Sequence, residues 1–439
     1  MVFTAQKIIW IFLKSRVSSQ EPMAWKILKK IATLFFLTQV ACLFAWTRLE
    51  GTFDELKTAI ESTNDNEIEL VVSDKNPDLK KILDLVGSKK FKIDLSSCSE
   101  LTEIPARVFY SNTNLESVVF PTSLSKIGNR AFDLSGIKSV DLPKSLTEIG
   151  DFAFSRTQIS SLTIPKSVSK IGLGAFAFCK NLPEIKLEDG NSEYKCEDGV
   201  LFTKNGLTLV QFPAGKAGAM EIPKTVIAIS SGAFEGAEKL SAVTLSPVLL
   251  RIGGYAFFGC IKLKEIEIPD TVTYIGQDAF GQTSISKIAV PKSVISLGSK
   301  PFEGALSLEE ISVQDGNVAF NSQDGVLFSA DGTLIRYPPA KSGSEYSVPA
   351  GTKKIASFAF ADCTSLKSVT LPDGTLVFGK YTFRNDSALA KSAIPTSTRE
   401  IGREAFWGTK VKSSGNMPQW YDSNKTSFAP INPQEIDAK

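Results

Sequence analysis

The chain has no histidine in its 439 residues. This absence excludes Ser-His-Asp and Cys-His nucleophilic mechanisms, histidine-ligated zinc sites and the usual general base near neutral pH. Only six cysteines are present, none in a Cys-x-x-Cys motif, and the sequence contains no phosphate-binding P-loop. Most of the parts of an active site are therefore missing. We expect the chain not to be an enzyme and to hold no cofactor or metal ion.

Long apolar runs are also scarce. The run Ile31–Ala45 has about 15 residues, fewer than the roughly 20 that a membrane-spanning helix needs. It follows three basic residues, Lys26, Lys29 and Lys30, and a short apolar run after a basic region is typical of a secretory signal. We therefore expect residues 1–45 to be a leader whose true start is Met23, and the mature chain to be exported.

The end of this leader allows two outcomes. Cleavage after Ala45 releases a secreted chain, whereas lipidation of Cys42 would tie it to a membrane, the one membrane contact that we expect. Gln39 stands where a lipidation motif carries an aliphatic residue, which favours plain secretion. Without the leader the net charge changes from +2 to about −3. A chain with this balance lacks the clustered basic face that nucleic acid requires.

What the sequence does contain is a repeat of 22 or 23 residues. Its marker is a phenylalanine that usually follows alanine, at Phe109, Phe132, Phe154, Phe176, Phe234, Phe257, Phe280, Phe302, Phe360, Phe383 and Phe406. Between Leu263 and Phe280 the frame reads L-x-x-I-x-I-P-x-x-V-x-x-I-G-x-x-A-F. This strand pattern and this period fit a leucine-rich repeat, whose units bury their apolar side chains by stacking. The sequence predicts an α/β repeat solenoid, an arc of stacked coils over residues 98–411.

Two of the intervals between successive phenylalanines are 58 residues long, and each contains the sequence Asp-Gly-Val-Leu-Phe. An Asx-Gly dipeptide follows, Asn205-Gly206 in the first and Asp331-Gly332 in the second. Strand, Asx-Gly turn, strand is the signature of a β-hairpin with a type I′ turn. Hairpin inserts are expected over about 188–222 and 314–348. They recur 126 residues apart, which indicates an internal duplication, and they either project from the solenoid or lengthen its sheet.

The unit I-P-x-x-V-x-x-I-G-x-x-A-F-x-x-C-x-x-L, with its G-V-L-F inserts, resembles the treponemal-type or BspA-like leucine-rich repeat family of bacterial surface proteins. The resemblance implies a protein partner, either a host extracellular-matrix or cell-surface protein or another bacterial surface protein, and a role in adhesion. It marks no catalytic or ligand-contacting residue. The alternative is a structural cell-envelope protein without a specific ligand. A glycosidase that uses carboxylates such as Glu265 and Glu267 is a weaker third hypothesis.

Outside the repeat, residues 46–97 predict an N-terminal α/β cap. Thr52-x-x-Glu55 is a capping box before an amphipathic helix, and Asn76-Pro77 is expected to open a second helix that Gly87 ends. Such a cap would cover the apolar end of the stack. Residues 412–439 are polar and proline-rich, and predict a tail.

The residues between the apolar positions of each repeat strand should point away from the core and form a protein-binding face. The candidates on this face are Asp141, Thr163, Glu184, Lys186, Thr244, Glu265, Glu267, Lys287, Glu310, Thr370 and Lys391. The face has no Tyr, Trp or Arg, the residues that dominate binding hot spots. We therefore expect binding to be spread over several coils.

Four cysteines occupy one position of the repeat. Cys98, Cys179, Cys260 and Cys363 each precede a leucine by three residues, which predicts a small buried group at a turn. Cys196 lies outside this frame, in the first insert, and a Cys179–Cys196 disulfide is an alternative in an exported protein.

Overall fold

The computed structural model describes residues 46–392 and 394–411. The predicted leader with Met23 and Cys42, and the predicted tail 412–439, lie outside the described residues. The described chain is a solenoid of stacked coils, as the sequence predicts. Most regular coils have one strand on each of two faces, followed by a series of tight turns on a third side; the coil with Glu265 and Glu267 has a strand on only one of the two faces. We call these three sides the long-strand face, the short-strand face and the turn face.

The coils are preceded by two helices, Phe53–Ser62 (α1) and Leu79–Val86 (α2). The capping box is confirmed, since the Thr52 N–H donates to Glu55 Oε2 at 2.8 Å. The second helix begins later than predicted, because Asp78 caps it by accepting from the backbone N–H of Lys81. Helix side chains pack in one hydrophobic core with the first coils, and the cap strands continue the sheet of the long-strand face.

The long-strand face is entirely parallel. Its strands are Thr47–Gly51, Glu67–Val72, Lys90–Asp94, Leu115–Val119, Ser139–Val140, Thr163–Ile164, Lys186–Leu187, Gly218–Glu221, Leu240–Thr244, Lys287–Val290, Glu310–Val313, Glu345–Ser347, Ser368–Thr370 and Lys391–Ser392. The pairing is interrupted at both inserts, and also between Val140 and Thr163 and between Thr244 and Lys287, so that the described part of this face consists of five sheets.

The short-strand face holds the inserts as well as the regular coils. Its strands are Glu103–Ile104, Lys126–Ile127, Glu148–Ile149, Lys170–Ile171, Tyr194–Glu197, Val200–Thr203, Thr208–Gln211, Ala228–Ile229, Arg251–Ile252, Tyr274–Ile275, Ser296–Leu297, Phe320–Gln323, Val326–Ser329, Leu334–Arg336, Lys354–Ile355, Val377–Phe378 and Glu400–Ile401. Each insert adds an antiparallel three-stranded meander whose last strand pairs in parallel with the next coil. The inserts therefore lengthen the sheet.

The type I′ turn is not where the sequence analysis put it. In the first insert both Asp198 and Gly199 have positive φ, 54° and 75°, and they join a strand pair that was not predicted. At the predicted position only Gly206 has positive φ, so Asn205-Gly206 does not form a type I′ turn. Asp198-Gly199 and Asn205-Gly206 both carry the Asx-Gly signal for a type I′ turn. The register of the neighbouring strands decides which of the two adopts this turn.

The Asp-Gly-Asn motif that opens each insert attaches it to the preceding coil. The side chain of Asn191 is buried, and its Nδ2 donates to the carbonyl of Val168 at 2.8 Å. Its Oδ1 accepts from the backbone N–H of Tyr194, also at 2.8 Å. Asn317 makes the same type of contact in the second insert, with the carbonyl of Val294 at 2.9 Å. One buried amide thus sets the starting position of each meander.

The repeat phenylalanines are buried and stack ring on ring, as predicted. Neighbouring ring centroids are 4.8–6.1 Å apart. The stacks are Phe109–Phe132–Phe154–Phe176, Phe212–Phe234–Phe257–Phe280–Phe302 and Tyr337–Phe360–Phe383–Phe406. Each insert supplies the first ring of the following stack, Phe212 or Tyr337, so the aromatic core restarts after each insert.

The glycine of the Ile-Gly pair is required by close packing and not by its φ. Gly276 is not among the residues with positive φ, so a left-handed backbone does not account for this glycine. A Cβ atom at this position would lie 2.3 Å from the backbone nitrogen of Gly254 in the preceding coil. Such a distance is far inside van der Waals contact, so any side chain would force the two coils apart.

Each insert acts as a wedge between coils. Where a regular coil places one strand on the short-strand face, an insert places three, and two extra strands add about 10 Å at the usual spacing. On the turn face, however, the N–H of Phe178 donates directly to the carbonyl of Glu235 across the first insert, at 2.9 Å. The stack is therefore wider on one side than on the other, which bends it at this point.

Buried charges close the turn face at the first wedge. Arg156 lies over the ring of Phe178 and reaches both Asp133 and Glu235, with nitrogen–oxygen distances of 3.6 Å. Arg130 lies 2.8 Å from Asp133. Burial raises the pKa of Glu235 to about 7, although Arg156 opposes this effect. The side chain of Glu235 therefore titrates near neutral pH inside the junction.

The aromatic stack predicts the cost of removing one ring. Replacement of Phe280 by Ala should destabilise residues 46–439 by about 3–5 kcal/mol, because Phe280 is fully buried between Phe257 and Phe302. Urea denaturation followed by circular dichroism would measure the loss. The control is Leu306→Ala at a side chain that is 62% exposed, which should leave the midpoint nearly unchanged. An unchanged midpoint for Phe280→Ala would contradict the packing described here.

The buried carboxylate predicts a pH dependence. Because the folded pKa of Glu235 lies above its unfolded value, its contribution to stability is complete below about pH 4.5 and is lost as the pH rises through about 7. Glu235→Gln should therefore reduce the decline of the unfolding midpoint between pH 5 and pH 8. The exposed Glu265→Gln is the control and should follow the wild type. Parallel curves for the Glu235→Gln variant and the wild type would exclude this role.

Candidate functional site

The eleven candidate residues lie on or beside the strands of the long-strand face. Ten are exposed and Glu310 is half-buried. They alternate with core residues, as in the segment where Glu265 and Glu267 flank the buried Ile266. The sequence pattern thus assigned the outward positions of this face correctly, but it did not indicate which of them lie close together.

Six of the eleven lie apart from the groove that the other five line. Asp141 lines a small groove of about 390 Å³ together with Val119 and Leu142. Thr163 and Lys186 are opposite each other on paired strands, and Lys186 forms an ion pair with Glu184 at 3.1 Å. The other two, Thr370 and Lys391, belong to the last coils.

The remaining five line one open groove of about 1100 Å³ in the middle of the molecule: Thr244, Glu265, Glu267, Lys287 and Glu310. Asp270 and Gln314 lie on its rim, and the aliphatic parts of Ala242 and Ala289 form part of its floor. We call this concavity the acidic groove, since four of its five charged residues are carboxylates.

Only part of this negative charge is neutralised within the groove. Lys287 Nζ lies 2.9 Å from Glu310 Oε2, and this hydrogen bond raises the pKa of the lysine. Asp270 accepts from Gln314 Nε2 at 2.9 Å. Within the described part of the chain, neither Glu265 nor Glu267 has a hydrogen-bond or ion-pair partner. The groove therefore presents two free carboxylates, and it carries a net charge of about −3 at neutral pH.

This arrangement suits binding better than catalysis. A glycosidase needs one carboxyl group that burial keeps protonated, whereas Glu265 and Glu267 are both exposed. Residues 46–392 and 394–411 also contain no cluster of three or more acidic or cysteine side chains that could hold a metal ion. The groove can attract a cation or a cationic protein surface, but it lacks a proton donor.

The carboxylates with strongly raised pKa values lie elsewhere, on the turn face. Burial raises the pKa of Asp278 to about 6 and the pKa of Asp386 to about 8. Such shifts often mark functional sites. Here, however, Asp386 accepts from the backbone N–H of Cys363 at 2.8 Å inside the stack, so its role is to join two coils. The sequence analysis missed these buried acids, which follow no repeat pattern.

The repeat cysteines are structural, as predicted. Each has its thiol against a backbone carbonyl of the preceding coil, as shown by Cys179 with Phe154 at 3.1 Å and Cys260 with Phe234 at 3.2 Å. Cys196 faces the carbonyl of Ile185 at 2.9 Å instead. Cys179 and Cys196 are both free, so the alternative of a disulfide between them is not borne out.

Thiol labelling tests this assignment. The five cysteines of the described chain should all react with Ellman's reagent in guanidinium chloride, whereas a Cys179–Cys196 disulfide would leave three. In the native state we expect the buried thiols to react slowly, because burial raises the pKa of Cys179 to about 11 and also raises that of Cys260. Cys196→Ser should lower the count in denaturant by one, and a rise in count upon reduction would reveal a disulfide.

No helix in the part of the chain that the structure describes has the length and hydrophobicity needed to cross a membrane. Among curated proteins, none matches the sequence.

Among solved structures, a leucine-rich repeat protein from Eubacterium ventriosum is similar over 87% of this chain and 93% of its own, with a TM-score of 0.50 and 22% identity. At this identity the likeness shows a shared fold. The pneumococcal vaccine antigen PcpA matches 73% of this chain and 77% of its own, with a TM-score of 0.47 and 22% identity. A leucine-rich cell surface protein from Faecalibacterium prausnitzii matches 61% and 70%, with a TM-score of 0.44 and 24% identity.

The model of the BspA-type leucine-rich repeat region matches in six copies, over residues 102–217, 211–324 and 340–432. These matches cover well over half of the chain and coincide with the coils and inserts described above. The chain therefore belongs to the BspA-type leucine-rich repeat family.

Proposed function

We propose that this protein is an exported adhesion protein that recognises a protein partner through the acidic groove. Leucine-rich repeat proteins of this bacterial surface type serve protein–protein interaction, and the groove is a concavity of about 1100 Å³ on the predicted binding face. The observation that carries the proposal is the pair of free carboxylates, Glu265 and Glu267, which are exposed and have no partner within the described residues, on a segment between two sheets of the long-strand face. A host matrix or cell-surface protein, or another bacterial surface protein, is the expected partner.

The chemistry of the groove specifies what such a partner must present. Two free carboxylates and a net negative charge attract lysine or arginine side chains, and exposed charges of this kind mainly increase the association rate. The small residues of the floor, Ala242 and Ala289, leave room for the aliphatic stems of those side chains. The partner surface should therefore be basic, and binding should weaken as the salt concentration rises.

The internal duplication shows that the fold does not require Glu265. The position of Glu265 is occupied 126 residues later by Lys391, although Leu263 is matched by Leu389 and both leucines are fully buried. The repeat thus keeps its core residue while the outward charge is reversed. The charge at this position is therefore free to serve the recognition of a partner.

The alternative is a structural envelope component that coats the cell without a specific ligand. This alternative is favoured by the composition of the binding face. Its eleven candidate residues include no Tyr, Trp or Arg, the residues that dominate binding hot spots. A protein of this kind would be exported by the same leader and would bind no matrix protein at physiological salt concentration.

The proposal predicts distributed binding. Residues 46–439 should bind at least one member of a panel of immobilised fibronectin, laminin and collagen, measured by surface plasmon resonance. Glu267→Ala should lower the affinity by less than about 1 kcal/mol, below a hot-spot loss, because several coils share the contact. Deletion of residues 198–323 joins the two inserts in register, removes the whole groove, and should reduce binding sharply.

The control for the substitution is Asp141→Asn, an acid on the same face but in the separate small groove, which should leave the affinity unchanged. Circular dichroism should confirm that the deletion variant remains folded. If one point substitution abolished binding while the deletion variant still bound, the partner would occupy a discrete site outside the groove. If no panel protein bound at any salt concentration, the structural alternative would be favoured.

A further inference from the structure

The short-strand face carries an exposed apolar column in the middle of the molecule. Leu207, Leu250 and Ile295 are 38%, 43% and 62% exposed. They occupy the same register position in different coils, as the backbone hydrogen bonds between coils show. Ile227 links Leu207 to Leu250, and Thr273 links Leu250 to Ile295. We call the set Leu207, Ile227, Leu250 and Ile295 the apolar column, which the exposed Thr273 interrupts between Leu250 and Ile295.

The fold does not require aliphatic residues at this register position. In the first coils the same position is occupied by Thr102, Ser125, Thr147 and Ser169, linked by the same backbone hydrogen bonds. Their hydroxyl groups donate to carbonyls of the neighbouring coil, at 3.1 Å from Ser125 and 3.0 Å from Thr147. Serine and threonine therefore satisfy the backbone here, so the fold does not need leucine or isoleucine at this position.

The charged residues beside the apolar column also differ from those at the equivalent positions of the first coils. In the first coils the outward strand residues are paired, as in Lys126 with Glu103 at 3.1 Å and Lys170 with Glu148 at 2.9 Å. Beside the apolar column the outward residue is Arg251, whose guanidinium group lies 4.3 Å from the ring centroid of Tyr274. It has no carboxylate partner within the described chain.

We infer that this surface binds the acidic groove of a second copy of the same chain. The apolar column would lie along the groove, and Arg251 would meet the free carboxylates of Glu265 and Glu267. The groove is the site of the proposed function, so the inference rests in part on that proposal and names one partner for it. Arginine with an aromatic neighbour is the residue pair that binding hot spots favour and that the groove itself lacks.

Three features favour a second copy over an unrelated acidic protein. The charges are complementary, since two free carboxylates stand on one surface and an unpaired guanidinium group on the other. Both surfaces are built from the same coils, so their side chains repeat at the same spacing of about 4.8 Å and can remain in register along the contact. The column and the groove also span overlapping coils, and therefore have similar lengths.

The contact is heterologous, because one surface of each copy meets a different surface of the next. Contacts of this kind propagate into chains or closed rings instead of stopping at a two-fold dimer. In an open assembly, the copy at one end keeps its groove free, and this groove remains available to other partners.

Sedimentation velocity of residues 46–439 over a range of concentrations tests the inference. The column variant combines Leu250→Ser, Arg251→Ser and Ile295→Ser, and the groove variant combines Glu265→Gln and Glu267→Gln. The wild type should form species larger than a dimer as its concentration rises, whereas each variant alone should remain a monomer. An equimolar mixture of the two variants should give dimers and nothing larger, because one intact pair of surfaces remains.

The matched control is Leu376→Ser, at the same register position in the last coils, and it should associate like the wild type. A monomeric wild type at all concentrations would overturn the inference, as would a column variant that associates normally. A mixture that stays monomeric would show that the column and the groove do not contact each other.

The two proposals fail separately. The column variant should keep its binding to immobilised matrix proteins while losing self-association, whereas the groove variant should lose self-association and bind matrix proteins more weakly. Normal self-association without matrix binding would contradict the proposed function alone. Matrix binding by a column variant that still self-associates would contradict this inference alone.

Discussion

The close stacking of one coil on the next is the constraint on which the rest of the structure depends. Backbone hydrogen bonds between coils fix the spacing, as between the N–H of Phe257 and the carbonyl of Ala279 at 2.8 Å. That spacing leaves no room for a Cβ atom at Gly276 and brings the rings of Phe257 and Phe280 to 5.6 Å. A coil has no core without its neighbours, so each surface feature is also set by the spacing.

The inserts show what happens when this spacing is not kept. They add strands on one face while the turn face remains closed, and the ion pair of the half-buried Arg156 with the buried Glu235 lies where the two faces differ. Lys300 and Arg384 occupy a similar place at the second insert, over the ring of Phe358. A buried ion pair contributes little net stability compared with an apolar contact. We interpret these pairs as fixing the geometry of two bends in an otherwise regular stack.

The sequence allowed the coil, the aromatic core and the two cap helices to be predicted, because each depends on residues close together in the chain. The junction between Arg156 and Glu235 could not be predicted, since an insert separates them and neither residue repeats. The turn at Asp198-Gly199 was missed because Asn205-Gly206 carries the same local signal. Grouping the outward residues into one groove also required the structure, since a repeat pattern assigns a face but not the curvature of that face.

The internal duplication makes the chain its own control for distinguishing fold from function. Where two copies of a position differ while the surrounding core is retained, the difference is not a requirement of packing. This comparison separates Glu265 from Lys391, which carry opposite charges above matching core leucines. The position of Leu250, in contrast, holds leucine in both copies of the duplication, since its counterpart 126 residues later is Leu376. The first coils, which lie outside the duplicated block, carry Thr147 at that position, so the aliphatic residue there distinguishes the duplicated coils from the first coils.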